Sequence, residues 1–277
     1  MRFATVRLRG KVQWGSVDDA DFEPWTSAAL PTLKSAISAG ALHQGDGATG
    51  DRVPLSKIEW LPPIPDPNKI LCVGLNYESH RKETSRSVNE HPTFFIRFAD
   101  SQIGHAAALL VPSVSDKLDY EGELAIVIGG TGRSVPIEAA MSLVAGFSCY
   151  NDGSIRDWQR HTTQFTPGKN FPHTGAFGPW LVTPDAFGDL TGKRIVTRLN
   201  GETMQNAALT DMIFNIPRLI AYASTFTPLS PGDVIVTGTP GGVGAMREPP
   251  VFMKAGDQVE VEIDGIGTLS NPVEQEK

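Results

Sequence analysis

Two glutamates, Glu121 and Glu123, stand two residues apart in the stretch "DYEGELAIVIGG", residues 119–130. The alternation predicts a strand. Residues i and i+2 of a strand project to one face, with Cα atoms about 6–7 Å apart. Ala125 and Val127 follow on that face, while Tyr120, Leu124, Ile126 and Ile128 occupy the other. Both faces are otherwise apolar, and the stretch itself holds no lysine or arginine. Two like charges on a buried face are unfavourable unless something positive lies between them. Backbone amides or a distant arginine could hold them, or a divalent cation could. A cation requires a third oxygen ligand, and Asp152 in "CYNDGSIRDWQRH" ends an apolar strand where a turn exposes side chains. Ligation by carboxylates alone points to Mg²⁺ or Mn²⁺, with Ca²⁺ a third candidate, rather than to zinc.

A base stands elsewhere. In "GLNYESHRKE", His80 and Glu83 are three residues apart. On a helix that spacing puts them on one face, where a glutamate orients an imidazole and stabilises its cation. The competing reading is a surface helix on which Glu83 pairs with Arg81 or Lys82. Arg156 and Gln159 follow Asp152 by four and seven residues, which aligns all three along one face if the segment is helical. Arg156 and Gln159 could then orient a substrate carboxylate or carbonyl, or hold the acids in place; Arg156 could instead pair with Asp157 or Glu121. "GTPGGVG", residues 238–244, is rich in glycine but lacks the Gly-Lys-Ser/Thr of a phosphate loop, so a tight turn is expected. His43, His91, His105, His161 and His173 have no comparable context and read as surface or structural residues.

The elements that must position these groups are short. With 28 glycines and 21 prolines in 277 residues, the chain has many turns and room for few long helices. Helices are expected around residues 27–39, in "SVPIEAAMSLVAGF", and in "TDMIFNIPRLIAYASTF" with Pro217 as a break or a first-turn residue. "PGDVIVTG" and "AGDQVEVEIDGIGTL" share a Gly-Asp turn followed by alternation, as strands of a rolled or barrel-like sheet do. The N-terminal "MRFATVRLRGKVQWG" alternates like an edge strand and has no apolar leader. Pro62, Pro63, Pro65 and Pro67 predict an extended linker. They divide a small N-terminal domain with its linker, residues 1–66, from a catalytic domain, residues 67–277. A formal charge of −7 argues against a nucleic-acid or anionic-membrane surface, and no apolar run approaches the ~20 residues of a membrane span. Cys72 and Cys149 lie in apolar stretches and read as buried free thiols of a cytoplasmic protein.

Taken in order, "GLNYESHRKE", "DYEGELAIVIG", "YNDGSIRDWQ", "GKNFPHTGAFGPW", "LNGETMQ", "PGDVIVTGTPGGVG" and "GIGTLSNPV" resemble the fumarylacetoacetate hydrolase family over about residues 67–275. The resemblance implies an α+β, mainly β fold built as a mixed β-sheet roll, and a homodimer. It implies Glu121, Glu123 and Asp152 as metal ligands and His80–Glu83 as a catalytic dyad. The segment around residues 77–92 would order over bound substrate. It further implies Lys169 near metal and substrate, where an ammonium stabilises an enolate or neutralises the crowded carboxylates. Gly238 and Thr239 would contact substrate. Longer members carry a fourth carboxylate before the histidine; here only Glu78 stands there, so the chain resembles the shorter, acylpyruvase-like branch. Pro172 and Arg97 depart from the family pattern, in which an acid and a lysine are common, and both are expected near the pocket.

These readings converge on a metal-dependent hydrolase that cleaves a carbon–carbon bond in a β-diketo acid such as an acylpyruvate or fumarylpyruvate. Its partner would be a small 2-oxo acid. Decarboxylation or isomerisation of a 2-oxo or unsaturated diacid would use the same enolate chemistry. A non-catalytic, metal-stabilised binding protein is the reading from another class, and an intact His–Glu dyad argues against it.

Overall fold

The computed structural model describes residues 1–43, 47–85, 87 and 89–277, His43 without its side chain. Its core is a 12-stranded mixed sheet among the described residues. The strand Gly122–Ile128 lies at the heart of this sheet, between Val144–Asn151 and Val234–Val236. Val234–Val236 runs parallel to Ile70–Gly74, whose other neighbour, Thr93–Arg97, forms one end of the sheet. A second sheet of five strands includes Arg194–Leu199, Gln258–Ile263 and Gly267–Gln275. The fold is thus α+β and mainly β.

The two faces of Gly122–Ile128 enter two different cores. Tyr120, Leu124, Ile126 and Ile128 pack with Val259, Val261 and Ile263 of the second sheet and with Leu219 and Ile220 of the helix Ile216–Phe226. Ala125 and Val127 pack on the opposite side with Phe3, Trp14, Trp25 and Ile37. Burial on both faces accounts for the near-continuous apolar run. Pro217 sits in the first turn of Ile216–Phe226, where its missing N–H is harmless, and the Asn215 side chain caps that end by accepting from the Arg218 amide. The other expected helices form as Leu33–Ser38 and Ile137–Ala140.

The N-terminal strand, expected at an edge, is internal. Arg2–Leu8 pairs with Lys11–Val17 on one side and with Gly175–Val182 on the other. The alternation suggested an edge, but Thr5 of that strand is buried and its hydroxyl donates to the Pro63 carbonyl at 2.7 Å. Residues 1–60, expected as a separate module, add strands to the large sheet and share its core. The proline stretch packs against them through the buried Ile64. Among the described residues no helix is long and apolar enough to cross a membrane.

Candidate metal centre and its base

Strand register assembles the three acids. Gly122 pairs with Asn151 and Glu123 with Tyr150, so Asp152 falls beside Glu121, and its amide donates to the Glu121 carbonyl at 2.8 Å. One carboxylate oxygen from each of Glu121, Glu123 and Asp152 lies within 4.8 Å of the others, and all three residues are buried. Gly122 between the glutamates is required by the second sheet. A Cβ there would lie 2.0 Å from Thr197 Oγ1.

Cations remote in sequence answer two of the three charges. Lys169 Nζ lies 2.6 Å from Glu121 Oε2 and 2.6 Å from Asp152 Oδ2. Arg156 Nη1 is 2.7 Å from Glu121 Oε1, and Arg97 Nη1 is 2.6 Å from Asp152 Oδ1. Burial alone would raise the Glu121 carboxyl, but Lys169 and Arg156 outweigh it and hold it at about 2. Lys169 is the mirror case: burial would lower it, and Asp152 and Glu121 hold its ammonium above the usual lysine range. Glu123 forms no ion pair among the described residues and accepts instead from the Gly238 amide. Burial, then Asp152 and Glu121, push its carboxyl well above the ordinary range. A buried carboxylate that lacks a cation, grouped with two more carboxylates, is a donor set that fits a hard divalent ion.

The dyad forms on the helix Glu78–Glu83, with His80 Nδ1 2.6 Å from Glu83 Oε1. The competing surface pairing is absent. Arg81 and Lys82 pair with Glu78, at 2.7 and 3.5 Å. His80 is buried within this helix; of the segment expected to order over substrate, Arg86 and Val88 lie outside the described residues.

The glycine loop holds both halves of the site through its backbone. The Gly238 amide donates to Glu123, Gly241 to Ser79 Oγ at 3.0 Å, Gly242 to Glu83 Oε2 at 2.8 Å, and Gly244 and Ala245 to Asp119 at 2.8 and 2.9 Å. Gly242 has φ +101°, and a Cβ there would lie 2.3 Å from the Met204 carbonyl oxygen. Asp119 in turn accepts from Arg156 Nε at 2.7 Å, so the loop, the arginine and Glu121 form one chain of contacts. Asp119 went unassigned in the sequence, although it lies two residues before Glu121 and alternation predicts it on the same face. Gln205 of "LNGETMQ" was likewise unassigned; it accepts from the Gly122 amide at 2.9 Å and donates to Thr239 Oγ1 at 2.8 Å.

A cavity of about 230 Å³ joins these groups. His80, Glu121, Glu123, Arg156, Gln159 and Lys169 line its polar side, and Thr239 also borders it. Phe95, Phe165, Val243 and Met246 form an apolar side. Gly238 is not among the lining residues, and its amide is taken by Glu123. The Thr239 hydroxyl donates to the Gly122 carbonyl at 3.0 Å. Arg97 and Pro172, expected near the pocket, do not line it: Arg97 is buried against Asp152, and Pro172 is exposed at the surface. His91, His105, His161 and His173 also lie outside it.

A mixed sheet that clusters three carboxylates, two of them lining a cavity that His80 also lines, is an enzyme-like arrangement, and its family can be stated. The chain belongs to the fumarylacetoacetate hydrolase family: residues 69–274 match its description as fumarylacetoacetate (FAA) hydrolase C-terminal. A Xenopus laevis oxaloacetate tautomerase, named as mitochondrial, is 41% identical over 255 residues, covering 91% of this chain and 77% of that protein. A solved fumarylacetoacetate hydrolase from psychrophilic Exiguobacterium antarcticum superposes with a TM-score of 0.89 at 33% identity, covering 100% of both chains. The maleylpyruvate hydrolase of Sphingobium sp. SYK-6, solved with manganese(II) and pyruvate, has a TM-score of 0.83 at 29% identity, also over 100% of both.

Proposed function

We propose that this protein is a divalent-metal-dependent enzyme of small 2-oxo acids that moves a proton at the carbon beside the keto group, with keto–enol tautomerisation of oxaloacetate as its reaction. The observation that carries this reading is that His80, held by Glu83, lines the same cavity as Glu121 and Glu123, two of the three clustered carboxylates. The likeness to an oxaloacetate tautomerase supports the choice of substrate.

Glu121, Glu123 and Asp152 would hold the metal, Mg²⁺ or Mn²⁺, which as a Lewis acid polarises the keto oxygen. Glu83 fixes His80 through Nδ1, which leaves Nε2 to take the proton from the substrate carbon and return it at the oxygen. Glu83 steadies the imidazolium formed between those steps. Arg156 borders the cavity, and its buried Nη2, without a hydrogen-bond partner among the described residues, would donate to a substrate carboxylate. The Lys169 ammonium is engaged by Glu121 and Asp152, so its part is to hold those two acids in place.

A second reading is hydrolysis of a carbon–carbon bond in an acylpyruvate or fumarylpyruvate, for which the apolar side of the cavity offers room for an acyl tail. There His80 would deprotonate a water that attacks the distal carbonyl, and the released enolate would take up the proton. Decarboxylation is a third outcome of the same site. One assay separates them. Oxaloacetate enol decay is followed by ultraviolet absorbance while pyruvate release is measured, with Mg²⁺ or Mn²⁺ and after chelation, and acetylpyruvate and fumarylpyruvate are run beside it. Tautomerisation consumes enol without releasing pyruvate, decarboxylation releases pyruvate from oxaloacetate, and hydrolysis releases it only from the diketo acids. Failure to turn over any of them would leave a binding protein.

A further inference from the structure

Among the described residues, three lysine or arginine side chains line the cavity: Arg156, Lys169 and Arg160. Two are committed. Arg156 is held by Asp119 and Glu121, both at 2.7 Å, and Lys169 by Glu121 and Asp152, both at 2.6 Å. Arg160 is different. It is exposed at the cavity mouth, and among the described residues its guanidinium forms no ion pair or side-chain hydrogen bond. The carboxylates that line the cavity, Glu121 and Glu123, are engaged by other groups.

Arg160 follows Arg156 by four residues, directly after the short helix Arg156–Gln159. Residues four apart share a helix face and are separated by about 6 Å along the axis. Both side chains border the cavity, Arg156 buried and Arg160 exposed. A 2-oxo diacid whose keto-acid end lies among the buried groups has its second carboxylate left to meet the exposed guanidinium of Arg160. Guanidinium is also the side chain best matched to a carboxylate, through two parallel hydrogen bonds.

The geometry points to Arg160 as the specificity-determining residue that selects a substrate with a second, distal carboxylate over a 2-oxo acid ending in an alkyl group. This rests on the proposed 2-oxo acid reading and names the substrate class within it: dianions rather than acylpyruvates with a neutral tail.

The test is binding to the full chain loaded with Mn²⁺, measured by calorimetry with 2-oxoglutarate and 2-oxopentanoate. These differ only by a carboxylate in place of a terminal methyl group. The wild type should bind the diacid at least about tenfold more tightly, as one charge-assisted pair allows. Arg160→Gln should remove that preference by weakening the diacid alone, and Arg160→Lys should restore part of it. Because Arg160 is exposed and forms no ion pair or side-chain hydrogen bond among the described residues, neither substitution should disturb the fold, which circular dichroism checks. The inference is overturned if the wild type shows no preference, if Arg160→Gln keeps it, or if both ligands weaken equally. If oxaloacetate is not turned over but the Arg160-dependent preference is present, the proposed reaction fails and the assignment of Arg160 stands.

Discussion

Glu83 bridges His80 to the glycine loop: one carboxylate oxygen lies 2.6 Å from His80 Nδ1, and the other accepts from the Gly242 amide at 2.8 Å. The imidazole is thus fixed relative to the loop that also holds Glu123. His80→Ala should lower the turnover rate by about 10²–10⁴, as loss of a general base does. Mn²⁺ affinity, read by electron paramagnetic resonance, should not change, because the imidazole is not among the proposed ligands. Glu83→Gln should be milder, since the one amide oxygen can still accept from Nδ1–H, although its NH2 then faces the Gly242 N–H and that contact is lost. Wild-type turnover by His80→Ala would remove the histidine from the mechanism.

Asp119 should prove as sensitive as the ligands, although it does not line the cavity. It joins Arg156 to two loop amides and is fully buried. Breaking a buried ion pair by removing one charge destabilises a protein by about 3–5 kcal/mol. Glu121 still partners Arg156, so the lower end of that range is expected for Asp119→Asn in urea unfolding. A loss below about 0.5 kcal/mol, the level of ordinary surface substitutions, would contradict the bracing role.

Acid should weaken the fold through Glu121. Its carboxyl is held at about 2 when folded, against an ordinary value of 4.5. A depressed carboxylate contributes stability that is fully present above its unfolded value and is lost as pH falls toward the folded one. The Glu121 contribution should therefore fade between about pH 4.5 and 2. Lys169→Met removes a main cause of the depression. Its unfolding midpoint in urea should be lower than wild type at neutral pH, and its further loss on acidification below about pH 4.5 should be smaller, because less of the Glu121 contribution is left to lose. Superimposable pH profiles for the two proteins would show that Lys169 does not stabilise the charged form.

How much of this was legible depends on whether the information is local. The shared face of Glu121 and Glu123, and the apolar partners on either side of their strand, follow from alternation alone. So did Asp119, had the same count been carried two residues back. Arg97 could not be placed that way. Its partner Asp152 is 55 residues distant, and only the packing of Thr93–Arg97 against the rest of the sheet brings them together. The Gly238–Glu123 hydrogen bond was out of reach for a related reason: a glycine motif reveals where backbone approaches closely, but not which of several acids receives its amide. The internal position of Arg2–Leu8 depended on Gly175–Val182, a partner nearly two hundred residues away.

The glycine between the two acids supplies the last prediction. A Cβ at Gly122 would lie 2.0 Å from Thr197 Oγ1, with Val261 Cγ1 at 3.3 Å and Thr197 Cβ at 3.4 Å. The first contact is impossible, and the other two are tight but bearable. Gly122→Ala must therefore push the strand away from the second sheet, which displaces the glutamates on both sides of it. Overpacking of this kind destabilises by about 1–3 kcal/mol, and Mn²⁺ affinity should fall with it. The Thr197 hydroxyl has no hydrogen-bond partner, so Thr197→Ala alone should be close to neutral. Combining the two removes the impossible contact and leaves only the tight ones. The double variant should then recover most of the stability in urea and most of the Mn²⁺ affinity lost by Gly122→Ala. The two sites touch, so this non-additivity is the signature to look for. A Gly122→Ala protein that binds Mn²⁺ like the wild type, or a double variant no better than the single one, would show that the second sheet does not set the spacing of the acids.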